Sequence, residues 1–418
     1  MNIKKVLSRF GPGFITGASD DDPSGIATYS QTGAQFGYTQ LWTALFTFPF
    51  QTVIQEICGR IGIVTGKGLS GVIRKHYPKP VLYFSVTLLL FANTVNIGAD
   101  LGAMASATQL LLGQSLVLWL LPMTVLTLIL EVFVSYKVYS KFLKYLTFSL
   151  LAYIVTFFVV KQDWGQIAVS TLVPNLSLDR SYLLNLTAIL GTTISPYLFF
   201  WQASEEVEEE VEEHKLKIMD HGVPKINKGD IRHMRFDTIS GMFFSNIVMF
   251  FIIATAASTL GRGNIKDIAT ATQAAEALRP IAGNFSSLLF AIGVIGTGLL
   301  AVPVLAGSAS YAISETVGWK EGLYRKFKQA HGFYGIITIA TLLGLLVNFT
   351  GIPPFKMLYY TAVLNGLIAP PLMVLILLVS SNPQIMGKYT NTKFSNITGI
   401  AITLMMFVAS GFLLFSFI

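Results

Sequence analysis

The chain has 418 residues, of which 53% are apolar and only 12% charged, with a mean hydropathy of +0.61 and a formal net charge of +7. Soluble globular chains carry about 25% charged residues, so this composition excludes that class and implies an all-α polytopic membrane protein. The lone Cys58 excludes an intrachain disulfide and any cysteine metal cluster. In chain order, Met1–Arg9 is a short basic arm that leads into an apolar segment without a cleavable signal peptide. Eleven segments of about 20 residues follow, the length that crosses a hydrocarbon core. They centre near Ser24, Val53, Gly98, Met123, Tyr153, Ser195, Val248, Leu299, Thr341, Gly366 and Met406. Nothing marks a separate soluble domain, so residues 1–418 read as one transmembrane unit.

The basic residues set the expected topology. With the N-terminus inside, alternation leaves only Lys161, Arg180, Arg262, Lys266, Arg279 and Lys356, of 29 Lys and Arg residues, outside. That asymmetry supports an odd number of spans and an extracellular C-terminus. It also explains the positive charge without a nucleic-acid partner. A multi-pass cell-membrane protein is expected, with a lipid bilayer as its surroundings; oligomeric state is open and a monomer suffices.

The first span is interrupted by Ser19-Asp20-Asp21-Asp22-Pro23-Ser24-Gly25. Carboxylates at membrane depth are costly. Pro23 has no amide hydrogen and disfavours helical geometry at Asp22. Breaking the helix there frees carbonyls and lets a carboxylate face a protected polar cavity, which suits a cation. The sixth span repeats the device at Gly191-Thr192-Thr193-Ile194-Ser195-Pro196-Tyr197. Spans one and six are equivalent members of two five-helix halves, at about 10–160 and 182–380, with an extra helix at about 394–417. Paired interruptions at corresponding positions point to an inverted-repeat transporter with a midplane site.

The site chemistry follows from these breaks. Half-helix ends present unpaired carbonyls and partial negative charge. Candidate metal ligands are the carbonyls of Ser19 and Thr192, the Asp22 carboxylate, and the hydroxyls of Ser24, Thr193 and Ser195. His76, His214, His221, His233 and His331 all fall in expected cytoplasmic loops, and neither break holds Met or Cys. An all-oxygen site suits a hard cation such as Mg²⁺.

Three segments then resemble the Nramp family of divalent metal transporters: Gly11-Pro12-Gly13-Phe14, Gly33-Ala34-Gln35-Phe36-Gly37-Tyr38 and Arg60-Ile61-Gly62-Ile63-Val64-Thr65-Gly66. The resemblance covers most of the chain and implies the LeuT-type fold, with helices 1 and 6 broken at mid-membrane. The family's first-helix Asp-Pro-Gly-Asn falls on Asp22-Pro23-Ser24-Gly25, and its sixth-helix Met-Pro-His on Ser195-Pro196-Tyr197. Gly25 thus replaces a metal-binding Asn and Ser195 a thioether ligand, changes expected to enlarge the pocket. Tyr197 replaces a His that serves as a proton relay. In the third span Asp100 keeps the family's Asp, whereas Ala103 stands where it has Glu. This combination resembles the Nramp-related magnesium transporters, a branch understood as uncoupled. It implies facilitated Mg²⁺ uptake, with Mn²⁺ also carried.

Other readings accompany this one: a proton-coupled Mn²⁺ or Fe²⁺ symporter, a non-transporting sensor, and a transporter of small organic solutes. No P-loop, nucleophile triad or redox motif occurs, so neither an enzyme nor a resident cofactor is expected. Asp20 and Asp21 are secondary candidates that line the vestibule or stay protonated beside Asp22. Asp100 is either a pathway acid or a packing hydrogen-bond partner. Asn365 is a pocket wall or a helix-to-helix hydrogen bond, and Gln202 lines the inner exit. Glu56 and Arg60 form an i,i+4 pair. The run Glu205–Glu213 extends span six as a charged helix, ordinarily a solvated end, alternatively an electrostatic sink beside a cation path.

Overall fold

A computed structural model describes residues 11–134, 148–263 and 265–416. The basic arm Met1–Arg9, the basic loop Lys137–Lys144 and the last residue of the expected eleventh helix lie outside the described residues. The first span forms α1 (Pro12–Asp20) and α2 (Pro23–Phe36), broken where Pro23 forces a new start. Next come α3 (Trp42–Thr65), the short α4 (Leu69–His76), α5 (Lys79–Leu112), α6 (Leu116–Phe133), α7 (Leu151–Val159) and the short α8 (Trp164–Leu172). The sixth span is again two helices, α9 (Arg180–Thr193) and α10 (Pro196–Glu212). The chain continues through α11 (Lys228–Ala256), α12 (Ser286–Val317), α13 (His331–Val347), α14 (Pro354–Ser381) and α15 (Lys393–Phe415).

Among the described residues, eight helical stretches are long and apolar enough to cross a membrane. The other three expected spans have identifiable reasons for falling short. The first is cut into pieces of 9 and 14 residues. The second, α3, carries Gln51, Gln55, Glu56 and Arg60, all buried. The fifth is described only from Phe148.

The two broken spans occupy the centre. The most apolar window of the sixth span is 89% buried, against 22% for the peripheral α6. In the paired halves, α1 and α2 pack on α11, α10 on α3, α9 on α14, and α5 on α12. The eleventh span, α15, lies against α14 and α9. Small residues let the central helices touch. A Cβ added at Gly17 would sit 2.3 Å from the Gly241 carbonyl carbon, so α1 and α11 meet backbone to backbone. Gly191 of α9 meets Gly366 of α14 in the same manner, at 2.2 Å from its nitrogen.

Two expectations need correction. Span six does continue as a helix to Glu212, but only its last residues are solvated. Glu206, Glu208 and Glu210 are buried. The end of α12 and the loop after it fold over this helix: Tyr311 Oη and the Tyr324 amide both donate to Glu208. Nor are all the histidines in loops. His233 lies inside α11, while His331 and His76 occupy helix ends. The Glu56–Arg60 pair forms as expected, with Arg60 Nε 3.0 Å from Glu56 Oε1. Arg60 also donates to the Tyr389 carbonyl at 2.6 Å and to Asn391 Oδ1 at 2.7 Å, and Arg235 Nε reaches Glu56 at 2.7 Å.

Candidate metal centre

At the first break, Asp22 adopts extended geometry (φ −69°, ψ 174°) and caps α2. Its Oδ1 accepts from the Gly25 amide at 2.7 Å and from Ser24 Oγ at 2.6 Å. An anion at a helix N-terminus is favoured by the dipole and by otherwise unpaired amides. Its Oδ2 accepts from Tyr197 Oη at 3.4 Å, and the same phenol donates to the Ser19 carbonyl at 3.1 Å. The sixth span therefore reaches across to the end of α1.

At the second break Ser195 is extended too (φ −82°, ψ 135°), but its side chain does not cap the helix that follows. Its hydroxyl turns back to the Gly191 and Thr192 carbonyls at 2.9 and 2.8 Å. Thr192 Oγ1 lies 3.2 Å from Ser24 Oγ, a further polar bridge between the breaks. Thr193 Oγ1 donates to the Ile189 carbonyl at 2.7 Å and lies 3.3 Å from Tyr29 Oη. Ser19, Asp22, Ser24, Thr192, Thr193, Ser195 and Tyr197 are each 1% exposed, so these groups are shielded from solvent. Among the described residues no group of three or more His, Cys, Asp or Glu is placed to hold a metal. A cation here would rely on one carboxylate and neutral oxygens, the donor set of a hard ion.

The secondary candidates separate. Asp20 Oδ2 accepts from Gln51 Nε2 at 2.7 Å and Ser245 Oγ at 2.6 Å, so this acid ties α1 to α3 and α11. Asp21 Oδ1 is 3.3 Å from Ser245 Oγ, and both acids are buried. Asn365 pairs with Asn96, which donates to it at 2.9 Å, the helix-to-helix alternative. Gln202 donates to Glu206 at 2.7 Å, one turn further along α10. Asp100 is buried, and neither of its oxygens has a partner among the described residues. The packing role expected as its alternative is absent there.

Gly25 does not leave open space in this closed arrangement. A Cβ there would lie 3.2 Å from the Asp20 carbonyl and 3.3 Å from Tyr29 Cε2. The Tyr29 ring takes up the room that the small residue provides. Sequence reading missed Tyr29, although it lies one helical turn beyond Gly25 and so shares its face. It also missed Asp237 of α11, an acid at the end of that helix's charged first third. Its carboxylate accepts from the amides of Gly11, Gly13 and Phe14 at 3.0, 2.7 and 3.2 Å, clasping the start of α1. Gln51 and Ser245, polar residues in spans two and seven, were legible as the same kind of signal.

Two half-broken helices crossing at the centre of paired five-helix units define a multi-pass membrane protein of the LeuT type. The fold agrees with solved structures across nearly the whole chain. A manganese transporter of Eremococcus coleocola superposes with a TM-score of 0.76 at 16% identity, covering 97% of this chain and 86% of that one. MhsT in complex with L-phenylalanine gives 0.62 at 14% identity, covering 97% and 98%. The profile described as natural resistance-associated macrophage protein-like, Nramp, matches residues 13–416, and the chain belongs to that family. Among its relatives is the divalent metal cation transporter MntH of Klebsiella pneumoniae (strain 342), 26% identical over 416 residues, 98% of this chain and 94% of the relative. MntH of Yersinia pestis (strain Pestoides F) is 26% identical over 430 residues, 99% and 96% of the two chains.

Proposed function

We propose that this Nramp-family chain is a divalent metal cation transporter that takes up Mg²⁺, and also Mn²⁺, by alternating access without proton coupling. The observation that carries the reading is the donor set that the two breaks themselves contribute: Asp22 with the hydroxyls of Ser24, Thr192 and Ser195, and neither thioether nor imidazole. Beside it, Met249 of α11 places a sulfur 4.0 Å from Thr193 Oγ1. Ser19 and Thr192 would add carbonyl oxygens, and Thr193 a hydroxyl. Mg²⁺ keeps several waters and accepts one or two carboxylates. A partly hydrated ion would enter only with the Tyr29 ring displaced from the space beside Gly25. A divalent ion gains about 4.6 kcal/mol in crossing 100 mV inward, so accumulation requires no second ion.

The proposed setting is a cell membrane, with the N-terminus inside, the C-terminus outside and repeats at about 10–160 and 182–380. The distribution of Lys and Arg between the two ends supports that orientation. The inner opening would be the swing of α1, a 9-residue half-helix held by Asp237 and by its glycine contact with α11.

A second reading, a proton-coupled Mn²⁺ or Fe²⁺ symporter, draws on Asp100, whose buried carboxylate is free to take a proton. Reconstituted liposomes decide between them. Mg²⁺ influx without internal acidification, abolished in Asp22→Ala, is the expected result. Mn²⁺ flux with stoichiometric proton entry and no Mg²⁺ flux overturns the proposal in favour of the second reading.

A further inference from the structure

We infer that the hydroxyls of Ser24, Ser195 and Tyr197 are the closure device of the empty carrier. They donate to the same oxygens that would ligate the cation, and so let the unloaded site close and return without a proton. This rests on the uncoupled reading above and supplies the step that reading leaves open.

Each carboxylate and carbonyl oxygen among the candidate ligands already has an internal donor. Asp22 Oδ1 has Ser24 Oγ at 2.6 Å and the Gly25 amide at 2.7 Å. Asp22 Oδ2 and the Ser19 carbonyl share the Tyr197 phenol at 3.4 and 3.1 Å. The Thr192 carbonyl has Ser195 Oγ at 2.8 Å. The donors are as buried as the acceptors. The ion pairs formed among the described residues lie elsewhere and bring no cation to Asp22. The other titratable groups around it are Asp20 and Asp21 on the same span, Asp100 on α5 and the phenols of Tyr29 and Tyr197; none is cationic.

Closing an empty site over a bare carboxylate and unpaired half-helix carbonyls is costly, because buried acceptors without donors forfeit their hydration. A coupled carrier meets that cost with a proton. A hydroxyl meets it differently, because it is donor and acceptor at once. With its hydrogen turned in, it satisfies the ligand oxygens. With its hydrogen turned away, its own lone pairs face the ion or the ion's water. One set of atoms thus serves the loaded and the empty states, and the phenol of Tyr197 spans both breaks to do so.

The test separates two fluxes in the same proteoliposomes. Net Mg²⁺ uptake into Mg²⁺-free vesicles requires the empty carrier to return. Exchange of external ²⁵Mg²⁺ against internal ²⁴Mg²⁺, read by mass spectrometry, does not. Tyr197→Phe removes only the hydroxyl and should lower net uptake about tenfold while lowering exchange less than threefold, the scale of one hydrogen bond to a charged group. If uptake and exchange keep the wild-type ratio in Tyr197→Phe, whether both fall together or neither falls, the inference is overturned. Proton entry accompanying wild-type uptake, read with an internal pH dye, overturns the uncoupled reading instead, whatever the ratio.

Discussion

The two breaks share a backbone but not a chemistry. Each places an extended residue before a proline that starts a new helix. At the first, the Asp22 side chain points forward and caps the helix that follows. At the second, the Ser195 side chain points backward and closes the carbonyls of the helix that precedes it. The first break therefore holds a fixed anion that the fold itself stabilises, and the second holds neutral groups that turn with little cost. In the proposed function, attraction for a cation and release of it would thus fall to different spans.

The sharpest way to break this comparison is to remove the side chain at each site. Asp22→Asn should lower Mg²⁺ uptake at least about a hundredfold, since it removes the one formal charge opposite a divalent ion. Ser195→Ala should lower it about tenfold or less. Equal losses would show that the two breaks contribute alike.

The half-helices before the breaks offer a second contrast. In a Cys58→Ser background, a cysteine at Thr16 should be labelled by a membrane-permeant thiol reagent about tenfold faster once Asp237→Ala removes the clasp on α1. That estimate assigns roughly 1.4 kcal/mol to the lost hydrogen bonds in the closed state. Gly366→Ala should instead destabilise the protein without speeding labelling, because α9 is wedged against α14. Faster labelling there would mean that both half-helices move.

Selectivity should respond more modestly. Ser195→Met with Gly25→Asn should shift preference toward Mn²⁺ by about tenfold, the scale of one altered ligand, as measured by competition between the two ions. The shift should be full only when Tyr29→Asn accompanies them, since the ring of Tyr29 crowds any side chain at position 25. An identical shift with Tyr29 retained would show that the ring leaves the space freely. The smallest effect is expected far from both breaks. Glu208→Gln should lower the thermal midpoint by about one degree, equivalent to about 1 kcal/mol, while leaving selectivity unchanged.

Much of the fold was legible because it is written as interruptions of hydropathy. Pro23, after three aspartates, and Pro196, after small and hydroxylated residues, located both breaks and the oxygen donors around them. Asp22 stood out from its two acidic neighbours only as the residue before the proline; Asp20 proved to be a strut to Gln51 and Ser245. The burial of Glu206, Glu208 and Glu210 was not legible, because it depends on a loop about a hundred residues further on that folds over them. Tyr29 was invisible for a related reason. A tyrosine in an apolar helix reads as packing until the partner of its hydroxyl, Thr193 on a distant span, is known.

The contact between Gly17 and Gly241 has a mechanical consequence. Most helix pairs interlock side chains into grooves and must unmesh them to part. Here two bare backbones face one another, with the side-chain ties between α1 and α11 placed at its two ends, at Asp237 and at Ser245. In the proposed cycle this contact would act as a smooth bearing once those ties part, and a single added methyl would act as a doorstop. Gly241→Ala should hold the swinging half-helix ajar, which offers a handle for trapping the open end of the cycle.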